Sequence, residues 1–363
     1  MSATTAAAVR RLCATGEVRS ALAQLARGAK AGDGALDVAA CTALVHACCR
    51  SGDVAEARRV FGVMPRLGLA PNEVTFTALI HGHFLLGRRE EGFALFEEMR
   101  RGGIEPNIYT YNVLIGEHGR MKDAAGLLEM MRKEGIRPSI VTFNLLVDGY
   151  GKAGQMSNAL HFSNQIRAAG YQPNTLTYNA LIAGFCRARD IARANRAFSD
   201  MKERGLTPTN GTYTILIDAL ARDGDMDKAF EMFADMRKAG FEVDVRTYGV
   251  LVHAFCMDGN MKDARKLFRS MEEKGVKANG VIYDMMIFGY GREGNSYKAM
   301  KLITEMRKNG LVPNFSSYGL TIRSLCNDGK CPEAEALIKD MVRAGLQPNE
   351  SVSQALLNAK ARQ

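Results

Sequence analysis

Between Ile140 and Asn174 the apolar and polar residues trace two helices in succession. Val141, Phe143, Leu146, Val147 and Tyr150 fall on one face at helical spacing, and Lys152, Ala153 and Gly154 close that helix, with the glycine as its cap. A second helix is predicted from Met156 to Ala168, with Ala159, Leu160, Phe162 and Ile166 on its apolar side; Gly170 ends it and Pro173 prevents its continuation. The same pattern returns along the chain. Gly68, Gly103, Gly135, Gly170, Gly205, Gly240, Gly275, Gly310 and Gly345 stand 35 residues apart, except for a gap of 32 between Gly103 and Gly135. Two short helices cannot bury their apolar faces alone, so copies of such a unit must stack on one another. The expected fold class is all-α, a solenoid of stacked helical hairpins, with function on a surface shared by the units.

In this register the units are 38–72, 73–107, 108–139, 140–174, 175–209, 210–244, 245–279, 280–314 and 315–349. A small residue recurs in the second helix, as Ala57, Ala124, Ala159, Ala194, Ala229, Ala264, Ala299 and Ala334, with Gly92 in the remaining unit. A methionine recurs near that helix's end, as Met64, Met99, Met131, Met201, Met236, Met271, Met306 and Met341, and reads as packing. Unit 108–139 lacks three residues between Ile115 and His118, which predicts a shortened first helix and a local change of pitch. Residues 350–363 begin a further helix, Ser351 to Ala361, with Leu356 and Leu357 expected to face inward and a polar tail, as a terminal cap. Residues 1–37 read as a degenerate first repeat, with Gly16, Val18, Ala21 and Leu22 at repeat positions. Within residues 1–30, Arg10, Arg11, Arg19, Arg27 and Lys30 against the lone Glu17 also suit a targeting sequence.

Composition adds a polarity to this picture. The net charge of +9 favours a polyanionic partner. No run of about 18 apolar residues is present, so no membrane span is expected. Cys49, Cys186, Cys256 and Cys326 share one repeat position and read as small buried thiols, which points to a reducing compartment. The glycosylation triplets at Asn210, Asn314 and Asn349 are then incidental.

Thr175 to Arg187, TLTYNALIAGFCR, and Gly310 to Asn314, GLVPN, resemble the opening and closing segments of the pentatricopeptide repeat. The resemblance covers residues 38–349, and 2–363 with the terminal segments. The rival tetratricopeptide repeat has a 34-residue period and a Trp, and this chain contains no Trp. Near-uniform 35-residue units, with no His-x-Glu followed by Cys-x-x-Cys, resemble the family's plain (P-type) branch.

The resemblance implies a right-handed superhelix and a single-stranded RNA partner, an organellar transcript. The expected location is the mitochondrion, with the chloroplast as alternative. It implies no cofactor, no metal and no catalysis; the chain would act as a monomer, by occupying its site or by recruiting a processing or translation factor. The runner-up is a protein-binding helical scaffold.

The family reads one base per repeat with two or three side chains. Carried over, the fifth-position readers are Thr42, Thr77, Asn112, Asn144, Asn179, Thr214, Gly249, Asp284 and Gly319. The last-position readers are Asn72, Asn107, Ser139, Asn174, Thr209, Asp244, Asn279, Asn314 and Asn349. Ionised Asp only accepts hydrogen bonds and suits the imino N–H of G or U, whereas Asn can donate to the bare ring nitrogen of A or C. Thr at the fifth position favours purines in the family and Asn favours pyrimidines. The implied reading is A, A, C, C, C or U, G from amino to carboxyl terminus along 5′ to 3′. Gly249 with Asn279 and Gly319 with Asn349 hint at A, while Asp284 with Asn314 departs from the pattern. N-capping of the next helix is the competing explanation of the last column.

The second residue of each unit would pack on base faces; Val74, Tyr109, Val141, Leu176 and Val281 suit this, and Gly211, Arg246 and Ser316 do not. Phosphate contacts are expected from Arg50, Lys152, Arg187, Arg222 and Arg292, all at one repeat position. Other motifs carry no function. GYGKAG at Gly149–Gly154 and GYGREG at Gly289–Gly294 match a dinucleotide fingerprint, but no strand precedes either. His81 and His83 point apart on a helix, Cys326 and Cys331 lack further ligands, and Glu90–Glu91 and Glu97–Glu98 read as solvated faces.

Overall fold

The computed structural model describes residues 5–31, 36–117 and 121–362. Every regular element among them is helical. The chain divides into two compact units, Met1–Gly184 and Phe185–Gln363.

The first unit contains α1 (Thr5–Thr15), α2 (Val18–Ala31), α3 (Val38–Arg50), α4 (Val54–Val63), α5 (Glu73–Leu85), α6 (Arg89–Arg101), α7 (Ile108–Glu117), α8 (Met121–Lys133), α9 (Ile140–Lys152), α10 (Met156–Ala168) and most of α11 (Thr175–Arg187). Consecutive helices form hairpins, and the first helices pack side by side in the rows α1–α3–α5–α7–α9. The second unit continues with α12 (Ile191–Glu203), α13 (Asn210–Arg222), α14 (Met226–Lys238), α15 (Val245–Asp258), α16 (Met261–Glu273), α17 (Gly280–Arg292), α18 (Ser296–Lys308), α19 (Phe315–Asn327), α20 (Cys331–Arg343) and α21 (Glu350–Ala361). There α13, α15, α17, α19 and α21 pack side by side in the same way.

The recurrent residues explain why the hairpins stack. The alanine row from Ala57 to Ala334 is wholly buried, and so are the methionines from Met64 to Met341. In several first helices an aromatic at the fourth position meets a phenylalanine from the preceding second helix edge to face. Phe96–Tyr111 in the first unit, and Phe198–Tyr213, Phe233–Tyr248 and Phe268–Tyr283 in the second, have ring centroids 5.7, 5.4, 5.7 and 5.4 Å apart. Such pairs contribute about 0.5–1.5 kcal/mol beyond the area they bury.

The glycine row ends the second helices in the left-handed conformation, with φ from +72° at Gly68 to +86° at Gly170. In the two dinucleotide-like motifs Gly151, Gly289 and Gly291 lie against a neighbouring helix, whereas Gly154 and Gly294 close the helix with φ at +73°. A side chain at Gly184 would lie 3.1 Å from the Cα of Gly151, and one at Gly289 would lie 3.2 Å from Cys256 Cβ. Neighbouring first helices therefore approach at small residues, and Cys49 plays the same part against Gly82.

α7 is described over ten residues, whereas α5 and α9 have thirteen. The expected loss adjoins residues 118–120, so the predicted change of pitch lies outside the described residues. Leu357 does not face inward. It is exposed and Leu356 half-buried, while Val352 and Ala359 are the buried residues of α21. α21 packs against α19 and α20, and that contact selects a face rotated from the one the leucines suggest. Finally, α4 stops at Val63 because Pro65 cannot donate to an α-helical ladder, and Met64–Leu67 forms a 3-10 turn instead.

Candidate nucleic-acid interface

The last residue of each unit is the N-cap of the next first helix, and its side chain has one orientation throughout. The side-chain oxygens Oδ1 of Asn72, Asn107 and Asn174 each accept from the backbone N–H three residues on, at 3.1 Å. Asp244, Asn279, Asn314 and Asn349 do the same at 2.9, 3.1, 2.9 and 3.0 Å. Ser139 and Thr209 cap through their hydroxyls. Capping commits the amide oxygen of an asparagine, which leaves its N–H groups to face outward; in an aspartate it leaves the second carboxylate oxygen.

The fifth residues lie next to these caps, linked to them by the third residue of the following unit. Thr75 Oγ1 is 2.7 Å from Thr42 Oγ1 and 2.9 Å from Asn72 Oδ1. Thr110 joins Thr77 to Asn107 at 2.8 and 3.2 Å. Thr142 donates to Asn112 Oδ1 at 2.8 Å and lies 3.4 Å from Ser139 Oγ. Thr177 donates to Asn144 Oδ1 at 2.6 Å, and Asn144 Nδ2 donates to Asn174 Oδ1 at 3.1 Å. In the second unit Thr247 joins Thr214 to Asp244 at 2.8 and 2.9 Å. Ser317 donates to Asp284 at 2.6 Å, and Asp284 also accepts from the backbone N–H of Asn314. Asn179 is half-buried. Gly249 and Gly319 offer no side chain, and their places lie 3.4 Å from Ile282 and 3.5 Å from Val352.

Val74, Tyr109, Val141, Leu176 and Val281 are among the few large apolar residues that stand in water, 50, 72, 52, 63 and 57% exposed. They sit two residues beyond the cap, one turn before the fifth residue, so an apolar contact and a polar one are presented side by side. Gly211, Arg246 and Ser316 are exposed at the same position and supply no apolar surface.

The five basic residues are all exposed, but three are already engaged. Lys152 Nζ is 2.6 Å from Asp148 and Arg222 Nε 3.0 Å from Asp218. Arg292 donates to the carbonyl of Met257 at 3.1 Å and lies over the ring of Phe288. At the amino-terminal end, one open groove of about 650 Å³ is lined by Thr42, Arg50, Asn72 and Val74, one from each predicted column, together with Arg10 and His46. Burial depresses the pKa of His46, and the nearby Arg50 and His81 depress it further. The third-position hydroxyls, Arg10 and His46 are residues that sequence reasoning missed.

Models of the PPR repeat family match residues 36–85, 71–118, 138–187, 173–222, 216–257 and 278–327; the pentatricopeptide repeat domain matches 95–153 and the PPR repeat 246–276 and 316–346. The chain belongs to the pentatricopeptide repeat family. No curated protein matches it. Among solved structures of pentatricopeptide repeat proteins, PPR10 from maize is similar at 27% identity and a TM-score of 0.66, over 98% of this chain and 56% of that one. PPR10 in complex with an 18-nt psaJ RNA element is similar at 25% identity and a TM-score of 0.51, over 98% of this chain and 61% of that one. The chain thus spans less than two thirds of the length of these structures.

Proposed function

We propose that this pentatricopeptide repeat chain binds single-stranded RNA sequence-selectively, one base per repeat. The observation that carries the reading is the pairing of exposed apolar second residues with capped last residues that have donors or acceptors to spare. Val141 and Leu176 are on the surface, and between them Asn174 shows its N–H groups. Base faces suit the first and Watson–Crick edges the second. Capping does not compete with base reading here. It fixes which atoms of each side chain remain to be read. PPR10 bound to an RNA element supplies the precedent within the family.

The order implied is A, A, C, C, C or U, G from the amino-terminal unit. Phosphates would run past Arg50, Lys152, Arg187, Arg222 and Arg292, with Lys152 and Arg222 exchanging their aspartate partners for RNA. Among the described residues no group of three or more His, Cys, Asp or Glu could hold a metal ion. The chain would act by occupancy in an organelle of the RNA-processing kind, mitochondrion or chloroplast, protecting its site or recruiting a factor. Binding to an AACC-containing oligonucleotide, measured across a salt series against a scrambled control, tests the reading. The expected result is selective binding that weakens steeply as salt rises. Equal affinity for both oligonucleotides would refute it.

A further inference from the structure

A third column of residues accompanies the two that the family resemblance singles out. Thr75, Thr110, Thr142, Thr177, Thr247 and Ser317 are buried, and each touches both the last residue of its own preceding turn and the fifth residue of the preceding unit. A capping box explains the first contact, because a hydroxyl at the third helical position returns to the cap. It does not explain the second, which reaches some 30–33 residues back along the chain.

At two positions of the column in the second unit an aliphatic residue stands instead, and both are informative. Where the third residue is Ile282 or Val352, wholly buried, the fifth residue before it is Gly249 or Gly319. A side chain at either glycine would meet the aliphatic branch at van der Waals distance, where Ile282 and Val352 offer no hydroxyl to pair with; at Gly319 the Arg323 guanidinium lies at 3.9 Å. Hydroxyl accompanies a polar fifth residue, and branched aliphatic accompanies glycine. Burying an amide or hydroxyl against Ile282 without a hydrogen bond is costly, so the two positions change together.

We infer that the third residue is a positioning residue for base selection. Its buried hydroxyl locks the fifth side chain of the preceding unit into register with the last, and the steps at Gly249–Ile282 and Gly319–Val352 are spacers that hold the chain on the RNA without choosing a base. The lock determines what is shown. At Asn144, the oxygen accepts from Thr177 while Nδ2 donates to Asn174 Oδ1, so both amides are fixed and both retain an outward N–H. Without the hydroxyl, one of the two bonds that hold the Asn144 amide is lost and only the bond to Asn174 still favours that orientation, which blurs the distinction between a bare ring nitrogen and an imino N–H. The inference rests on the one-base-per-repeat reading.

The test compares full-length chains on oligonucleotides that differ only at the fourth or the seventh base of the site. Thr177→Val is expected to lower discrimination at the fourth base by roughly tenfold, the value of about one hydrogen bond, while Thr177→Ser retains it. The double variant Gly249→Thr with Ile282→Thr is expected to gain a preference for A at the seventh base that neither single variant has. This second arm stands whether or not Thr177→Val folds. Wild-type discrimination at the fourth base that survives in Thr177→Val, together with no gain in the double variant, would show that the hydroxyls only cap helices. A wild-type chain that discriminates at no base would overturn the one-base reading, and the inference with it.

Discussion

The side-chain oxygen of Asn174 accepts the backbone N–H of Thr177 at 3.1 Å, and the cap makes no use of the Asn174 Nδ2 donors. An aspartate caps a helix as well as an asparagine does, through one oxygen, as Asp244 shows with Thr247 at 2.9 Å. Asn174→Asp is therefore expected to leave thermal stability nearly unchanged and to move the preference at the fourth base from C toward U. Asn174→Ala is expected to cost about 1 kcal/mol of helix capping and to lose discrimination. Competition binding with oligonucleotides varied at that base, beside a melting curve, separates the two effects. An unchanged preference in Asn174→Asp would sink the assignment.

Close approach of first helices makes a second prediction. A side chain at Gly184 would lie 2.5 Å from Met156 Sδ and 3.1 Å from the Gly151 Cα. The methionine can swing away, but the backbone of α9 cannot. Gly184→Val is expected to cost about 1–3 kcal/mol through overpacking, more than the few tenths recovered from helix propensity. Gly126, inside α8, has nothing within 4 Å of its missing side chain. Gly126→Ala is expected to stabilise by about 0.5–1 kcal/mol. Chemical denaturation of the two variants would contradict the packing account if both changes had the same sign.

Much of this architecture was legible before any coordinates. The glycine period and the helical spacing of Phe143, Leu146 and Tyr150 place the end of α9 at Lys152 and α10 over Met156–Ala168. Leu356 and Leu357 misled because the contact of α21 with α19 and α20 buries Val352 and Ala359, and periodicity cannot say which face a contact selects. Thr75 and its equivalents passed unnoticed for a different reason. A threonine near a helix start is explained locally by capping, and its longer reach back to Thr42 joins residues 33 apart. A signal was present in the sequence: Gly249 precedes Ile282 and Gly319 precedes Val352, whereas polar fifth residues precede hydroxyls.

His83 gives the fold a pH dependence. Its side chain is buried in α5 and neither ring nitrogen completes a hydrogen bond, although Nδ1 lies 3.2 Å from Glu91. Burial lowers its pKa below 6.5; Glu91 opposes this, and Arg58 and Arg88 add to it. The folded state therefore releases its proton more readily than the unfolded chain. Stability is full above the unfolded pKa of about 6.5 and falls as pH drops from there toward the depressed folded value. His46, shifted the same way, adds to the effect. Melting temperature should fall between pH 7.5 and pH 5.5, and the fall should be smaller in His83→Leu. An identical slope in that variant would remove His83 as the cause.

Arg189 holds φ at +57°, the one non-glycine residue in the left-handed region among those described. It stands in the loop between α11 and α12, where the equivalent loops have Gly52, Gly87, Gly154, Gly224, Gly259, Gly294 and Gly329, all with positive φ. An L-residue in this conformation costs about 1–2 kcal/mol, through the approach of Cβ to the following carbonyl. Glycine removes that cost but gives the unfolded chain more freedom, an opposing effect of about 0.4–1 kcal/mol. The first effect is the larger. The backbone bond from the Arg189 N–H to the Cys186 carbonyl, at 3.2 Å, needs no side chain and survives the change. Arg189→Gly is thus expected to stabilise the chain by about 0.5–1 kcal/mol, the net of these two effects. The reverse change, Gly154→Ala, is expected to destabilise it by about 0.5–1 kcal/mol, since the strain of a non-glycine residue in the left-handed region outweighs the unfolded-state freedom that the change removes. Urea denaturation of both variants reads the difference directly, and a less stable Arg189→Gly chain would mean that the arginine side chain contributes more than its backbone costs.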